Sequence, residues 1–193
     1  MIDSTTEDPK PNPTLDEFAA DVVAIARAGG DEHQVTDAIA ARLKQLLRDG
    51  LELTPDQRRP DPDRYVMYPL FVAADGSLCI AAAVWDVGQS TPIHDHGTWG
   101  VIGILEGREH EDRYETASEG RPVRLGERVL NAGEVVVCCT HDHDVHAVAC
   151  ASDIPCVGIH VYGANIGELQ RRSYDPITGS VRWFVSRWPS AAA

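Results

Sequence analysis

Two histidines one residue apart, behind a Gly/Pro turn in Gly88-Gln89-Ser90-Thr91-Pro92-Ile93-His94-Asp95-His96, are the residues best placed to do chemistry. On extended backbone, residues two apart share a face, so the two imidazoles converge; on a helix the pair would splay to nearly opposite sides. Two neutral imidazoles converging on one point make half of a metal site. The other half must come from a distant strand, and the dense candidate is His141-Asp142-His143-Asp144-Val145-His146-Ala147-Val148. His146 lies inside an apolar alternation, with Val148 on its own side and Val145 and Ala147 on the other, and is the expected third ligand. His141 and His143 sit in an acidic, loop-like approach and read as solvated. Asp95 alternates outward between the first two histidines, which suits a turn-stabilising role better than ligation.

A second pair at the same spacing, His160 and Tyr162, shares one strand face while Val161 points away. Trp99, soon after the first pair, reads as core filling. The acidic run from Glu106 to Glu115 reads as a solvated strand face.

The elements that must position these groups follow from periodicity. Residues 1 to 13 are acidic and Pro-containing and read as a disordered tail. Thr14 with Glu17 forms a capping-box pair before a helix over about 15–28, stopped by Gly29-Gly30. A second helix over about 32–49 carries Val35, Ile39, Leu43, Leu46 and Leu47 on one stripe and ends at Gly50. Pro55, Pro60 and Pro62 mark a linker, after which the period becomes that of strands: 64–73, 77–87, 99–106, 108–115, 122–131, 134–139, 145–150, 156–162 and 181–185. So many short strands imply a mainly β sandwich or small barrel. The domain reading is a tail (1–13), a helical extension and linker (14–62) and one β-barrel domain (63–193).

The motif G-x5-H-x-H closed by Gly107 resembles the first motif of the cupin superfamily. The second histidine region, followed by Gly158-Ile159-His160-Val161-Tyr162-Gly163-Ala164-Asn165-Ile166-Gly167, resembles the thiol dioxygenase branch, which includes cysteine dioxygenase and 3-mercaptopropionate dioxygenase. The resemblance covers roughly residues 64 to 185 and implies a cupin jelly-roll barrel with the N-terminal pair of α-helices packed outside one sheet. It also implies a site. The glutamate ligand usual in the first motif falls at Gly100, which leaves the neutral set His94, His96 and His146. Such a set leaves positions open on an Fe(II) ion that activates oxygen, and a soft thiolate would offset the metal's charge. Zinc suits the same ligand types.

In the resembled family a Ser-His-Tyr triad borders the bound thiol; here its histidine and tyrosine are His160 and Tyr162, expected as catalytic groups, and its serine position is Gly158. Arg171, nine residues beyond Tyr162, matches the carboxylate clamp of the 3-mercaptopropionate enzymes, with Arg172 beside it as the alternative. The clamp position of the cysteine branch, 26 residues before His94, is Tyr68, and no arginine occurs between Val66 and Glu106. Tyr68, with Met67 and Phe71, is therefore expected to line a pocket for a bulkier or less charged substrate. No cysteine follows His96 closely enough for the crosslink to tyrosine found in the animal enzymes.

The formal charge of −13 argues against nucleic acid or an anionic membrane as partner, because phosphate would be repelled. Five cysteines form no CxxC pair and sit mostly in apolar runs, which fits a reducing cytoplasm. No secretory signal or membrane anchor is visible in the sequence. The expected function is an Fe(II)- and O2-dependent dioxygenase turning a small thiol (3-mercaptopropionate-like, cysteine or larger) into its sulfinic acid. The alternatives are a three-histidine cupin that cleaves a diketone-type carbon–carbon bond, favoured by a purely apolar pocket, and a non-catalytic metal- or ligand-binding module, favoured by a fourth protein ligand.

Overall fold

The computed structural model describes residues 15–116, 121–138 and 145–189. The tail, Thr14, His141 and His143 lie outside the described residues. Two helices come first, α1 (Leu15–Ala28) and α2 (Glu32–Asp49). Asp31 caps α2 by accepting from the Gln34 amide while the Gln34 side chain accepts from the Asp31 amide, so two otherwise orphaned N–H groups are satisfied. Gly50, at φ 89°, ends it with a conformation that side chains disfavour.

Eleven described strands follow: β1 (Val66–Val72), β2 (Cys79–Trp85), β3 (Ile93–His94), β4 (Gly100–Glu106), β5 (Arg108–Thr116), β6 (Pro122–Asn131), β7 (Val135–Cys138), β8 (Val145–Cys150), β9 (Cys156–Tyr162), β10 (Arg171–Tyr174) and β11 (Val181–Phe184). They form two antiparallel sheets, ordered β1-β2-β9-β4-β7 and β11-β10-β3-β8-β5-β6. From β2 to β5 the chain changes sheet at every strand, and it does so again from β6 to β9. The inner orders β2-β9-β4-β7 and β3-β8-β5-β6 are those of a jelly roll. The fold is mainly β with two N-terminal helices, as the sequence implied.

Strand alternation divides the core in two. On β9, Val157, Ile159 and Val161 face the helices and join Ile80, Ala82, Val84 and Val101 of the same sheet with Phe18, Val22, Ile39, Leu43 and Leu46. Gly158, His160 and Tyr162 lie between them in sequence and face the other sheet, where Met67, Ala81, Trp85, Ile102, Ile104 and Val148 form the barrel interior. Polar groups on the strands are thus directed into the barrel, while the helices cover the opposite face of the first sheet.

Three differences from the sequence-based strands bear on the site. β3 is only two residues long, so His96 lies just past its end. β10 was not among the expected strands, because Arg-Arg-Ser-Tyr has no apolar alternation. The acidic run is not a solvated face: Glu109 and Glu111 are 2% and 4% exposed, since the period of two on β5 turns alternate residues inward. None of the described helices is long and apolar enough to cross a membrane, and the described cysteines Cys79, Cys138, Cys150 and Cys156 are all free thiols.

Leu43 is fully buried between helix and sheet, on the side away from the polar interior. Leu43→Ala should destabilise the fold by about 2–5 kcal/mol while leaving the affinity of the folded protein for metal unchanged. Denaturant titration and metal titration of the same variant check both halves of that expectation.

Candidate metal centre

His94 is the register partner of His146 across β3 and β8, so the two imidazoles leave their strands side by side on the inner face. His96, two residues on, completes the cluster: ring centroids are 4.8 Å apart for His94 and His146, 4.7 Å for His96 and His146, and 5.3 Å for His94 and His96. One ring nitrogen from each lies within 4.8 Å of the others. All three side chains are buried, and the structure brings together the three residues expected as ligands.

For His94 and His146, hydrogen bonds to acceptors on the outer side of the ring show which nitrogen faces inward with its lone pair. Nδ1 of His94 lies 3.0 Å from the Pro92 carbonyl, which only accepts, so this nitrogen carries the proton and Nε2 is bare. Nδ1 of His146 lies 2.7 Å from Glu111, again an acceptor. Burial alone would raise Glu111, but hydrogen bonds from His146 and Arg128 outweigh it and hold the carboxyl at about 2. Nε2 of His146 is therefore bare as well, and it lies 3.1 Å from Nε2 of His96. Burial, and then the neighbouring imidazoles and Arg171, lower the pKa values of His94 and His96, so both rings stay neutral at physiological pH. Neutral rings with converging lone pairs fit a cation, and a carboxylate behind one ring is the arrangement that orients metal-bound histidine. A second possible donor set, His146 with Glu111 and Cys138, uses the same imidazole, but Glu111 is already engaged by His146 and Arg128.

The missing carboxylate ligand has a structural counterpart. Gly100 faces Tyr162 in the β4/β9 register, and a Cβ there would lie 3.2 Å from the tyrosine ring. A side chain at this position would press on the ring that borders the cluster, whose centroid is 5.2 Å from that of His96.

His160 and Tyr162 share the inner face of β9, with Nδ1 of His160 2.9 Å from the tyrosine hydroxyl. Burial, followed by the neighbouring imidazoles of His96 and His146 and the Arg171 guanidinium, lowers His160 to about 3. Burial raises Tyr162 well above its ordinary value. Both are therefore neutral over the physiological range, and the tyrosine keeps a proton to donate.

Of the two arginines, Arg171 faces in. It is 2% exposed, its guanidinium carbon sits 4.7 Å from the centre of the Phe184 ring, and Nη2 donates to Ser186 at 2.5 Å. Its Nε has no hydrogen-bond partner among the described residues. Arg172 points the other way and forms an ion pair with Asp95 at 2.5 Å. Asp95 is itself buried, a finding that replaces the turn-stabilising role: it accepts from the Arg172 amide at 2.8 Å and from the Tyr174 hydroxyl at 2.8 Å, tying β10 to the segment between His94 and His96. One acidic residue thus sets Arg171 in register with the histidines.

Tyr68 is not brought to the cluster. Its hydroxyl donates to the Arg59 carbonyl at 2.8 Å, and its ring packs on the helix-side core, whereas Met67 is the neighbour facing the interior. Tyr65, Met67 and Tyr68 line a cavity of about 540 Å3 together with Ser186, Arg187 and Trp188. Ser186 joins this cavity to the site, bonding Arg171 and lying 3.2 Å from the Tyr65 hydroxyl. Trp99 packs with the helix-side core. Glu111, Glu109 and the inward Arg171 are the groups that apolar patterning could not single out. The signal for the first two was the strand period within an acidic run.

No protein-family model matches the chain. Solved structures similar to it include an uncharacterised conserved protein with a double-stranded β-helix domain from Klebsiella pneumoniae, with 12% identity over 70% of this chain and 91% of that one and a TM-score of 0.47. A cupin superfamily protein from Desulfitobacterium hafniense has 12% identity over 58% of this chain and 91% of that one, with a TM-score of 0.44. An oxalate oxidase in complex with the substrate analogue glycolate has 15% identity over 54% of this chain and 53% of that one, with a TM-score of 0.45. The likeness is one of architecture at low identity, and no residue role passes from these proteins to this chain.

His146→Ala should abolish stoichiometric metal binding in a folded protein. Glu111→Gln should weaken it by about 10- to 100-fold. Metal content after dialysis, with circular dichroism to verify the fold, checks both; full occupancy in His146→Ala would move the site elsewhere.

Burial raises Glu109 to about 8, the Cys156 thiol opposing and Glu111 reinforcing the shift. The folded chain then holds this proton more tightly than the unfolded chain. The resulting stability is complete below the unfolded carboxyl pKa and is lost as pH rises through the folded value. Glu109→Gln has no such proton to lose, so its stability relative to wild type should improve between about pH 5 and about pH 9. Urea midpoints at the two pH values read this directly, and a constant difference would contradict it.

Proposed function

We propose that the protein is an Fe(II)- and O2-dependent thiol dioxygenase that converts a small, carboxylate-bearing thiol to its sulfinic acid. The observation that carries this is Arg171: a buried guanidinium beside the histidine cluster that pairs with no carboxylate among the described residues. An unpaired buried cation is costly, and the natural remedy is an anion supplied by a ligand. Its planar fork, braced by Ser186 and Phe184, suits two hydrogen bonds to a carboxylate.

Charge supports the same substrate class. Three neutral imidazoles offset none of a divalent ion's charge, Arg171 adds another positive charge, and Glu111 is balanced by Arg128. An interior so arranged favours a ligand that brings two negative groups, a thiolate and a carboxylate. Fe(II), when bound, supplies the redox chemistry with O2 and lowers the pKa of the thiol.

The chain's own residues do the rest. Arg171 anchors the carboxylate and so aims the sulfur at the histidine cluster. Tyr162 donates its hydroxyl proton toward the reacting atoms, held in place by His160. Phe184, Trp85 and Tyr65 form apolar walls beside Arg171, His94 and His160 that limit access of water. The net reaction, R–SH plus O2 giving R–SO2H, leaves both oxygen atoms on sulfur and needs no further reductant. A carbon–carbon cleaving enzyme for an apolar diketone is less well served by a site that presents a charged guanidinium and a hydroxyl.

Oxygen uptake by the Fe(II)-loaded protein with a panel of thiols, coupled to mass detection of sulfinate, tests the proposal. Uptake should match sulfinate for a small thiol carrying a carboxylate. Arg171→Ala should weaken such a substrate by about 2 kcal/mol or more, roughly 30-fold in KM, and leave carboxylate-free thiols unaffected. Full iron occupancy without sulfinate from any thiol would reject the assignment.

A further inference from the structure

His160 is 6% exposed, and only one side of its ring is accounted for. Nδ1 meets Tyr162, while Nε2 is buried with no hydrogen-bond partner among the described residues. On the Nε2 side the strand carries Gly158, whose absent Cβ would lie 2.7 Å from His160 Nε2 and 2.9 Å from Oε1 of Glu109. The two polar atoms crowd the same point from opposite sheets, the carboxyl from β5 and the ring from β9. Glu109 is 2% exposed, and its Oε1 has for partner the Cys156 thiol at 3.6 Å, a weak donor. Glu109 and His160 also line a cavity of about 10 Å3, the scale of one water molecule, shared with Glu111 and His146.

We propose that Glu109 is a positioning residue that donates its carboxyl proton to Nε2 of His160, directly or through one water, and thereby sets the tautomer of the ring. With Nε2 accepting, the ring proton resides on Nδ1 and is donated to the Tyr162 oxygen. The tyrosine's own O–H is then left to point at the histidine cluster rather than back at His160. Were Nε2 protonated instead, Nδ1 would accept from the tyrosine and turn its proton away from the cluster.

A Cβ at residue 158 would fall between the ends of the Glu109 and His160 side chains. The sequence places Gly158 where the resembled family has serine, and a Cβ there would make both ends shift. The polar partner of the histidine comes from across the barrel rather than from its own strand. Glu109 must be protonated to donate, and burial, with Glu111 as neighbour, keeps it so at neutral pH.

The consequence for thiol oxidation rests on the function proposed above; the hydrogen-bond chain does not. The test is therefore made on metal-free protein with 15N-labelled imidazoles, by two-bond 1H–15N correlation at neutral pH. Wild type should show His160 protonated at Nδ1 and bare at Nε2. Glu109→Gln should keep that pattern, because its amide N–H donates in place of the carboxyl. Glu109→Leu should lose it, giving the Nε2-protonated form or a mixture. A wild-type ring protonated at Nε2 would overturn the proposal even if the leucine variant does not fold, and so would an unchanged pattern in folded Glu109→Leu. Because sulfinate formation plays no part in the readout, failure of the thiol dioxygenase assignment would leave this result standing.

Discussion

Three buried imidazoles whose ring nitrogens face one another are the constraint around which this molecule is organised. Lone pairs packed this closely repel unless a cation or a proton sits among them, and desolvation disfavours the proton. The surroundings are arranged to keep it that way. The Pro92 carbonyl and Glu111 hold protons on the outer nitrogens of His94 and His146, and Arg128 keeps Glu111 ionised. The jelly roll contributes what no single strand can: β3 and β8 set two ligands opposite each other, and the chain just past β3 supplies the third.

The remaining polar groups of the interior divide the work by charge. Arg171 is the buried cation without a protein counter-ion among the described residues, whereas Arg172, next in sequence, is neutralised by Asp95 on the far side of the strand. The single residue between His94 and His96 therefore also locates the buried Arg171. A small movement of β10 would disturb ligand and anchor together, which is how a strand of four residues comes to matter for chemistry.

Much of this was legible in the sequence. The H-x-H pair announced converging imidazoles, His146 stood out by its apolar alternation, and the shared face of His160 and Tyr162 followed from their spacing. Other parts were hidden for physical reasons. The run from Glu106 to Glu115 has the composition of a solvated face, and its alternation on β5 places Glu109 and Glu111 on the buried side. β10 has no apolar alternation, and its pairing with β3 and β11 is joined by the contacts of Asp95 with Arg172 and Tyr174. Counting residues back from His94 led to Tyr68, yet the alternation of β1 turns Met67 inward and sends the tyrosine hydroxyl to Arg59.

On the proposed function, three imidazoles and no sulfur hold the metal until substrate arrives. X-ray absorption at the iron edge of the Fe(II)-loaded protein reads this directly. The expected spectrum shows multiple-scattering features of three histidines with light atoms completing the shell, and a sulfur contribution that appears only on adding thiol. Fewer than three imidazoles, or sulfur in the shell before any thiol is added, would contradict it and point instead to His146 with Cys138 and Glu111.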